Sequence, residues 1–278
     1  MKKIVKQTLA LASLALVAGS ASAALTGISN TKHNLTSTGS GPNKQTSTEQ
    51  ICVFCHTPHA ANTSVEAPLW NKGLPPASGY TTYSTANSST IDGEVLGVGS
   101  VSAACLSCHD GTQAMDNLVN APGSGNYTSG GSNQAYVWTA GGELIGAAGN
   151  SIANLGPNLR NDHPIGIQYC GGGITGTGTT VNGTCRDTDF TSSTGGLKTK
   201  TINSAQVFWI DTSTVDNVRS KSDIILYTRD FSGGSVKGPS VECASCHDPH
   251  VEPKGTDGIS FMRVTTSGSK ICLACHTK

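Results

Sequence analysis

Apolar and polar positions are unevenly spread along the 278 residues. An apolar run from Leu9 to Val17 follows the basic start Met1-Lys2-Lys3-Ile4-Val5-Lys6 and leads into small residues ending Ala21-Ser22-Ala23. This is the pattern of a secretory signal peptide, with cleavage expected after Ala23 and Ala24 almost as suitable. The run is too short for a permanent spanning helix, and no cysteine stands at the expected mature start to take a lipid anchor. Residues 24–278 then read as a single domain. Within it, short alternating or β-rich runs at Ala135 to Trp138, Gln206 to Ile210, Asp223 to Thr228 and Ile259 to Val264 predict short strands or hairpins. Long amphipathic helical periodicity is absent. Ser and Thr crowd Thr36 to Thr48, Ser78 to Ser89 and Gly171 to Thr201, which predicts loop there.

Composition sharpens this picture. Five Phe, six Tyr and three Trp against 34 Gly leave little for an ordinary core. The expected fold is therefore mostly irregular, with few short helices and strands and something other than side chains filling the interior. Loss of Lys2, Lys3 and Lys6 with the leader leaves 15 basic against 18 acidic residues, a formal −3, which argues against nucleic acid as a partner.

Eight of the ten cysteines fall into four C-x-x-C-H motifs: Cys52-Cys55-His56, Cys105-Cys108-His109, Cys243-Cys246-His247 and Cys272-Cys275-His276. Two thiols three residues apart on one tight turn can add to the two vinyl groups of a porphyrin, and the next residue then points at the iron. A zinc knuckle or a thioredoxin-like pair also uses C-x-x-C, but neither needs the following histidine. Histidine fills 8 of 278 positions, so its chance placement after all four pairs is on the order of one in a million. The sequence thus predicts four covalently bound haem c groups, whose stack would form the core and without which the chain would not hold a fold. The pairs recur as C-x-x-C-H-x-P-H followed by Cys-Leu-x-Cys-His, at Cys52 to Cys108 and again at Cys243 to Cys275. Two haem-binding halves, about 50–110 and 240–278, then flank a haem-free β and loop stretch. Single helical turns are expected at the motifs.

Four histidines remain, His33, His59, His163 and His250, one for each iron. A full set of bis-histidine irons needs that number, although any one of them alone could be a surface residue. His59 and His250 lie three residues beyond proximal ligands, so neither can reach the opposite face of the same iron. Each must serve a neighbouring haem. Asp162 is a candidate acceptor for a ring N–H of His163, and His33 sits in a polar arm, Asn30 to Asn34. Met115 and Met262 read as packing residues. Cys170 and Cys185 are expected to pair as a disulfide in an oxidising compartment.

Lys32-His33-Asn34-Leu35, Cys52 to His59, Cys105 to Gly111, Asp162-His163-Pro164 and Cys243 to His250 together resemble the doubled C-x-x-C-H cytochromes of metal-reducing bacteria. Among these the chain is most similar to the OmcE-like, filament-forming tetrahaem cytochromes. The resemblance implies protomers stacked with a continuous haem row, and a distal histidine donated by the neighbouring copy, for which His33 on its arm is the candidate. It also implies a secreted, cell-surface protein, with periplasmic or outer-membrane cytochromes as electron donors and extracellular acceptors such as metal oxides. The expected role is electron transfer and not enzymatic catalysis. A soluble periplasmic shuttle or a multihaem reductase are the alternatives.

Overall fold

A computed structural model describes residues 27–83, 88–123, 127–139, 141–147, 151–192, 194–212, 218–251 and 261–277. The leader and its cleavage site lie outside them. Among the described residues no helix is long and apolar enough to cross a membrane. The main sheet has five antiparallel strands in the order β3 (Ile167–Gln168), β9 (Val236–Val241), β8 (Ile224–Phe231), β7 (Ala205–Ile210) and β6 (Leu197–Ile202). Two small hairpins accompany it, β1 (Asn117–Asn120) with β2 (Tyr127–Asn133) and β4 (Ile174–Thr177) with β5 (Thr180–Gly183). Three helices, α1 (Ser100–His109), α2 (Cys243–Cys246) and α3 (Lys270–Cys275), each contain a C-x-x-C pair, and the first pair lies at a 3₁₀ turn, Ile51–Phe54.

The sheet owes its register to alternation. Leu197 pairs with Ile210, Thr199 with Phe208, Phe208 with Leu226 and Ile210 with Ile224, so these side chains share one face. Asn203 and Ser204, both at positive φ, turn β6 into β7 with the twist that a two-residue hairpin needs. Tyr169, Ile174 and Val241 complete a buried cluster on that face, and Ile271, Ala274 and Cys275 of α3 pack against it. The fourth motif therefore rests on a protein core that the small aromatic content did not lead one to expect. Cys170 and Cys185 form a disulfide around the β4–β5 hairpin and belong to the same cluster. In the first half Leu35, Val53, Phe54, Met115, Leu118 and Ile145 form a second cluster that holds Cys55 and Cys108.

Several sequence expectations are corrected. Gln206 to Ile210 and Asp223 to Thr228 fall in β7 and β8, but the supposed loop Gly171 to Thr201 contains β4, β5 and most of β6. Ala135 to Trp138 is no strand. Its amides are taken by side chains instead, Tyr136 donating to Asp116 Oδ2 at 2.9 Å and Val137 to Ser47 Oγ at 2.8 Å, which leaves one bridge, Trp138 to Gln45. Of Ile259 to Val264, residues 259 and 260 lie outside the described residues, and Phe261 to Val264 supplies one bridge only, from Met262 to His247. The second motif closes a ten-residue helix, not a single turn.

Phe208 is buried in the sheet core, so Phe208→Ala is expected to lower stability by about 3 to 5 kcal/mol. Urea unfolding followed by far-ultraviolet circular dichroism measures this. A loss below about 1 kcal/mol would show that the sheet face contributes little to the fold.

Candidate haem sites

Each motif outside α1 is a helical turn closed on its own histidine. The amide of His56 donates to the carbonyl of Cys52 at 2.8 Å, that of His247 to Cys243 at 3.1 Å and that of His276 to Cys272 at 2.9 Å. His247 and His276 then leave the turn in extended conformation, which carries the ring away from the two thiols.

A second segment clamps the histidine backbone in these three motifs. At the first, Thr57 donates to the Leu69 carbonyl at 2.9 Å and Asn71 to the Cys55 carbonyl at 3.0 Å, with His56 bridged to Trp70. At the third, Asp248 donates to Phe261 at 2.7 Å and Arg263 to Cys246 at 2.8 Å, with His247 bridged to Met262. At the fourth, Thr277 donates to Asp189 and Thr191 to Cys275, both at 2.8 Å, with His276 bridged to Phe190. The last residue of each strap also sends its side chain into the motif. Asn71 Nδ2 reaches Val53 O at 2.7 Å, Arg263 Nε reaches Ala244 O at 3.0 Å and Thr191 Oγ1 reaches Ala274 O at 2.9 Å. Sequence reasoning missed these straps, since backbone groups make most of the contacts and the three triplets have no residue type in common at any matching position. Leu69 and Phe261 do share a left-handed backbone, at φ 54° and 67°.

The rings are arranged for metal binding through Nε2. Nδ1 lies at 2.7 Å from Pro68 O in His56, at 2.8 Å from Ala153 O in His109 and at 3.2 Å from Pro249 O in His33. It lies at 3.1 Å from Pro164 O in His163 and from Asp248 Oδ1 in His250. An Nδ1–H donated to such an acceptor fixes the tautomer that leaves Nε2 free for iron. The partner of His163 is Pro164, not Asp162, whose Oδ2 is buried without a hydrogen bond. Asp248 plays that part for His250, and this contact holds its carboxyl down at about 2.

Two imidazoles bound to opposite faces of one iron put their ring centroids about 6 Å apart, given bonds of about 2 Å on each side. His56 and His250 stand 5.9 Å apart with rings 15° from parallel, and His33 and His109 stand 6.0 Å apart at 80°. Both separations fit an iron between the rings. The placement of His33 overturns its reading as a free arm. Asn34 and Thr36 are buried beside it in a polar network, and its ring stacks on Phe261 at 4.2 Å within the same chain. Burial, with His109 next, pulls the His33 ring down to about 4. His247 is lowered by burial, then by His109, Arg263 and His163, which places His163 in its surroundings. Among the described residues no other histidine ring faces His59 or His276.

The eight free thiols follow one another in chain order. Burial pushes Cys55 up to about 12, with Cys108 adding to it. Cys105 and Cys243 are neighbours, and each thiol moves the other, the first up and the second down. Cys275 is pushed up to about 12 by burial and then by Cys246. Sites one to four are thus successive neighbours. The second and third are joined by a buried clamp, in which Ser102 Oγ of α1 donates to Glu242 Oε2 at 2.5 Å and accepts the Cys243 amide at 3.0 Å. Arg229 Nη1 pairs with Glu242 Oε1 at 2.8 Å.

A family model described as the doubled CXXCH motif matches residues 236–278, the second of the two paired motifs. It supports a multihaem c-type cytochrome with covalently bound haem c. No curated protein matches the chain.

Burial raises the Glu242 carboxyl above its ordinary 4.5, against the pull of Ser102, Arg229 and Ser240. A carboxyl with a raised folded pKa contributes stability that is full below 4.5 and is lost as pH rises through the folded value. Glu242→Gln is therefore expected to flatten the decline of Tm with pH over that window relative to wild type. Parallel curves would show that this carboxyl is not the source of the slope.

Proposed function

We propose that this chain is a tetrahaem electron conduit whose copies join head to tail into a filament at the cell surface. The observation that supports it best is the chain-order closeness of the four attachment sites, which four bound haem c groups would occupy as one row. Each bound iron would supply one-electron exchange between its ferric and ferrous forms. The protein holds the axial nitrogens, and a histidine on both faces leaves no coordination position for a substrate. In this reading His56 and His250 hold the first iron, His109 and His33 the second, and His247 and His163 the third.

The ends of the row are where copies would meet. His59 belongs to the first site and His276 to the fourth, and both are exposed. The carbonyl of His59 is fixed by Thr57 Oγ1 and Asn120 Nδ2, each at 2.9 Å, which holds the residue outward. Leu69 beside the first site is 54% exposed and Leu273 in the fourth motif 51%, an apolar contact ready at each end. His59 of one copy would complete the iron held by His276 of the next. It replaces His33 as the ligand donated across the interface. Periplasmic or outer-membrane cytochromes as donors and metal oxides as acceptors belong to the same proposal.

Electron cryo-microscopy and electron paramagnetic resonance of native surface material test it. Wild type should give filaments with all irons low-spin, and His59→Ala should give no filaments and one high-spin iron in four. Monodisperse wild-type particles with four low-spin irons would leave a soluble periplasmic shuttle. A high-spin iron oxidised by substrate in the intact assembly would mark a reductase.

A further inference from the structure

We infer that Lys72 sets the potential of the first site: its buried ammonium makes the haem attached at Cys52 and Cys55 easier to reduce than the one at Cys272 and Cys275. The inference rests on the haem-row reading above. Lysine is almost never fully buried without a partner, yet Lys72 is 0% exposed. Its Nζ donates to two carbonyls, Ala114 O at 2.9 Å and Met115 O at 3.0 Å. Among the described residues no carboxylate lies within ion-pairing distance of it. Asp116, next along from Met115, spends Oδ2 on the Tyr136 amide and on Trp138 Nε1.

The position is fixed from several sides. Lys72 follows Asn71, whose amide holds the Cys55 carbonyl, and its own carbonyl accepts Asn62 Nδ2 at 2.9 Å. Met115, whose carbonyl it binds, packs with Cys55 and Cys108 in one cluster. Two carbonyls are satisfied as well by a neutral amide, so the cation adds a desolvation cost and a field. Oxidation of a haem adds one positive charge, and a fixed cation nearby in low dielectric disfavours that state.

The third and fourth sites lack this field, whereas Cys108 of the second shares the Met115 cluster. Arg263 occupies the matching strap of the third site but is offset by Asp248, 3.5 Å away. At the fourth site the cation on the motif's own helix, Lys270 of α3, is exposed, so solvent screens it. The first site is therefore more positive than the fourth, and an electron shared between haems bound at those two would reside at the first. One electron converts ferric to ferrous iron at each step, and no proton is required.

The experiment is a mediated spectroelectrochemical titration of full-length haem-loaded wild type, Lys72→Gln and Lys72→Arg. Glutamine keeps N–H donors for both carbonyls and removes the charge. Lys72→Gln should move one of the transitions negative by about tenfold in its oxidised-to-reduced ratio, 59 mV for a one-electron couple. Lys72→Arg should restore it. A fully loaded Lys72→Gln that titrates as wild type, or a Lys72→Arg shifted equally far, would overturn the inference. Paramagnetic nuclear magnetic resonance of wild type gives a test independent of any variant, since the haem at Cys52 and Cys55 should titrate above that at Cys272 and Cys275 and the reverse order would refute it. A pyridine haemochrome count below four in wild type would instead strike at the haem row itself.

Discussion

A histidine that closes a C-x-x-C-H turn would hold a bound haem iron from one side only, and a second nitrogen for that iron would have to come from elsewhere in the chain. His250 stands against His56 and His33 against His109, so segments distant in sequence are drawn together at each position. Bringing distant segments together costs loop entropy that grows slowly with length, and a metal-bridged pair returns it through two strong bonds. The crossing of N-terminal and C-terminal segments, with His33 on Phe261 and His250 by His56, would answer this demand.

The rest of the architecture serves to hold those rings still. A helical turn fixes the first cysteine to the histidine, and a strap pins the next peptide so that the ring emerges in extended chain. Nδ1 contacts with Pro68, Ala153, Pro164 and Pro249 carbonyls then set the rotation of each ring. The same strap holds the first and third sites although Leu69-Trp70-Asn71 and Phe261-Met262-Arg263 have no residue in common. Backbone geometry is preserved here while the side chains are free to differ, as a buried Asn in one half and a buried Arg in the other illustrate.

Much of the site was legible because its chemistry is local. The spacing C-x-x-C-H names its cysteines and proximal histidines without reference to the fold, and the histidine arithmetic supplied the remaining ligand candidates. What was not legible depends on partners distant in sequence. His33 stood as a ligand candidate in a polar stretch, Asn30 to Asn34, and its packing could not be read there because Asn34 is buried through its bond with Thr36. Strand β9 is disguised by Gly238 and Pro239, and β6 by its lysines and threonines, although Leu197 and Thr199 alternate inward. Lys72 gave no signal at all, since nothing in its neighbours announces burial.

The closeness of Cys105 and Cys243, held by the Cys243 amide on Ser102, has a bearing on how the molecule is made. Once folded without its cofactor, the chain holds thiols of successive motifs near one another, with Cys170 and Cys185 already joined. In an oxidising compartment two such thiols could join, and a joined pair could not add to a vinyl group until it was reduced. Porphyrins taken up while the chain was still open would avoid that bridge, with the tertiary structure closing afterwards.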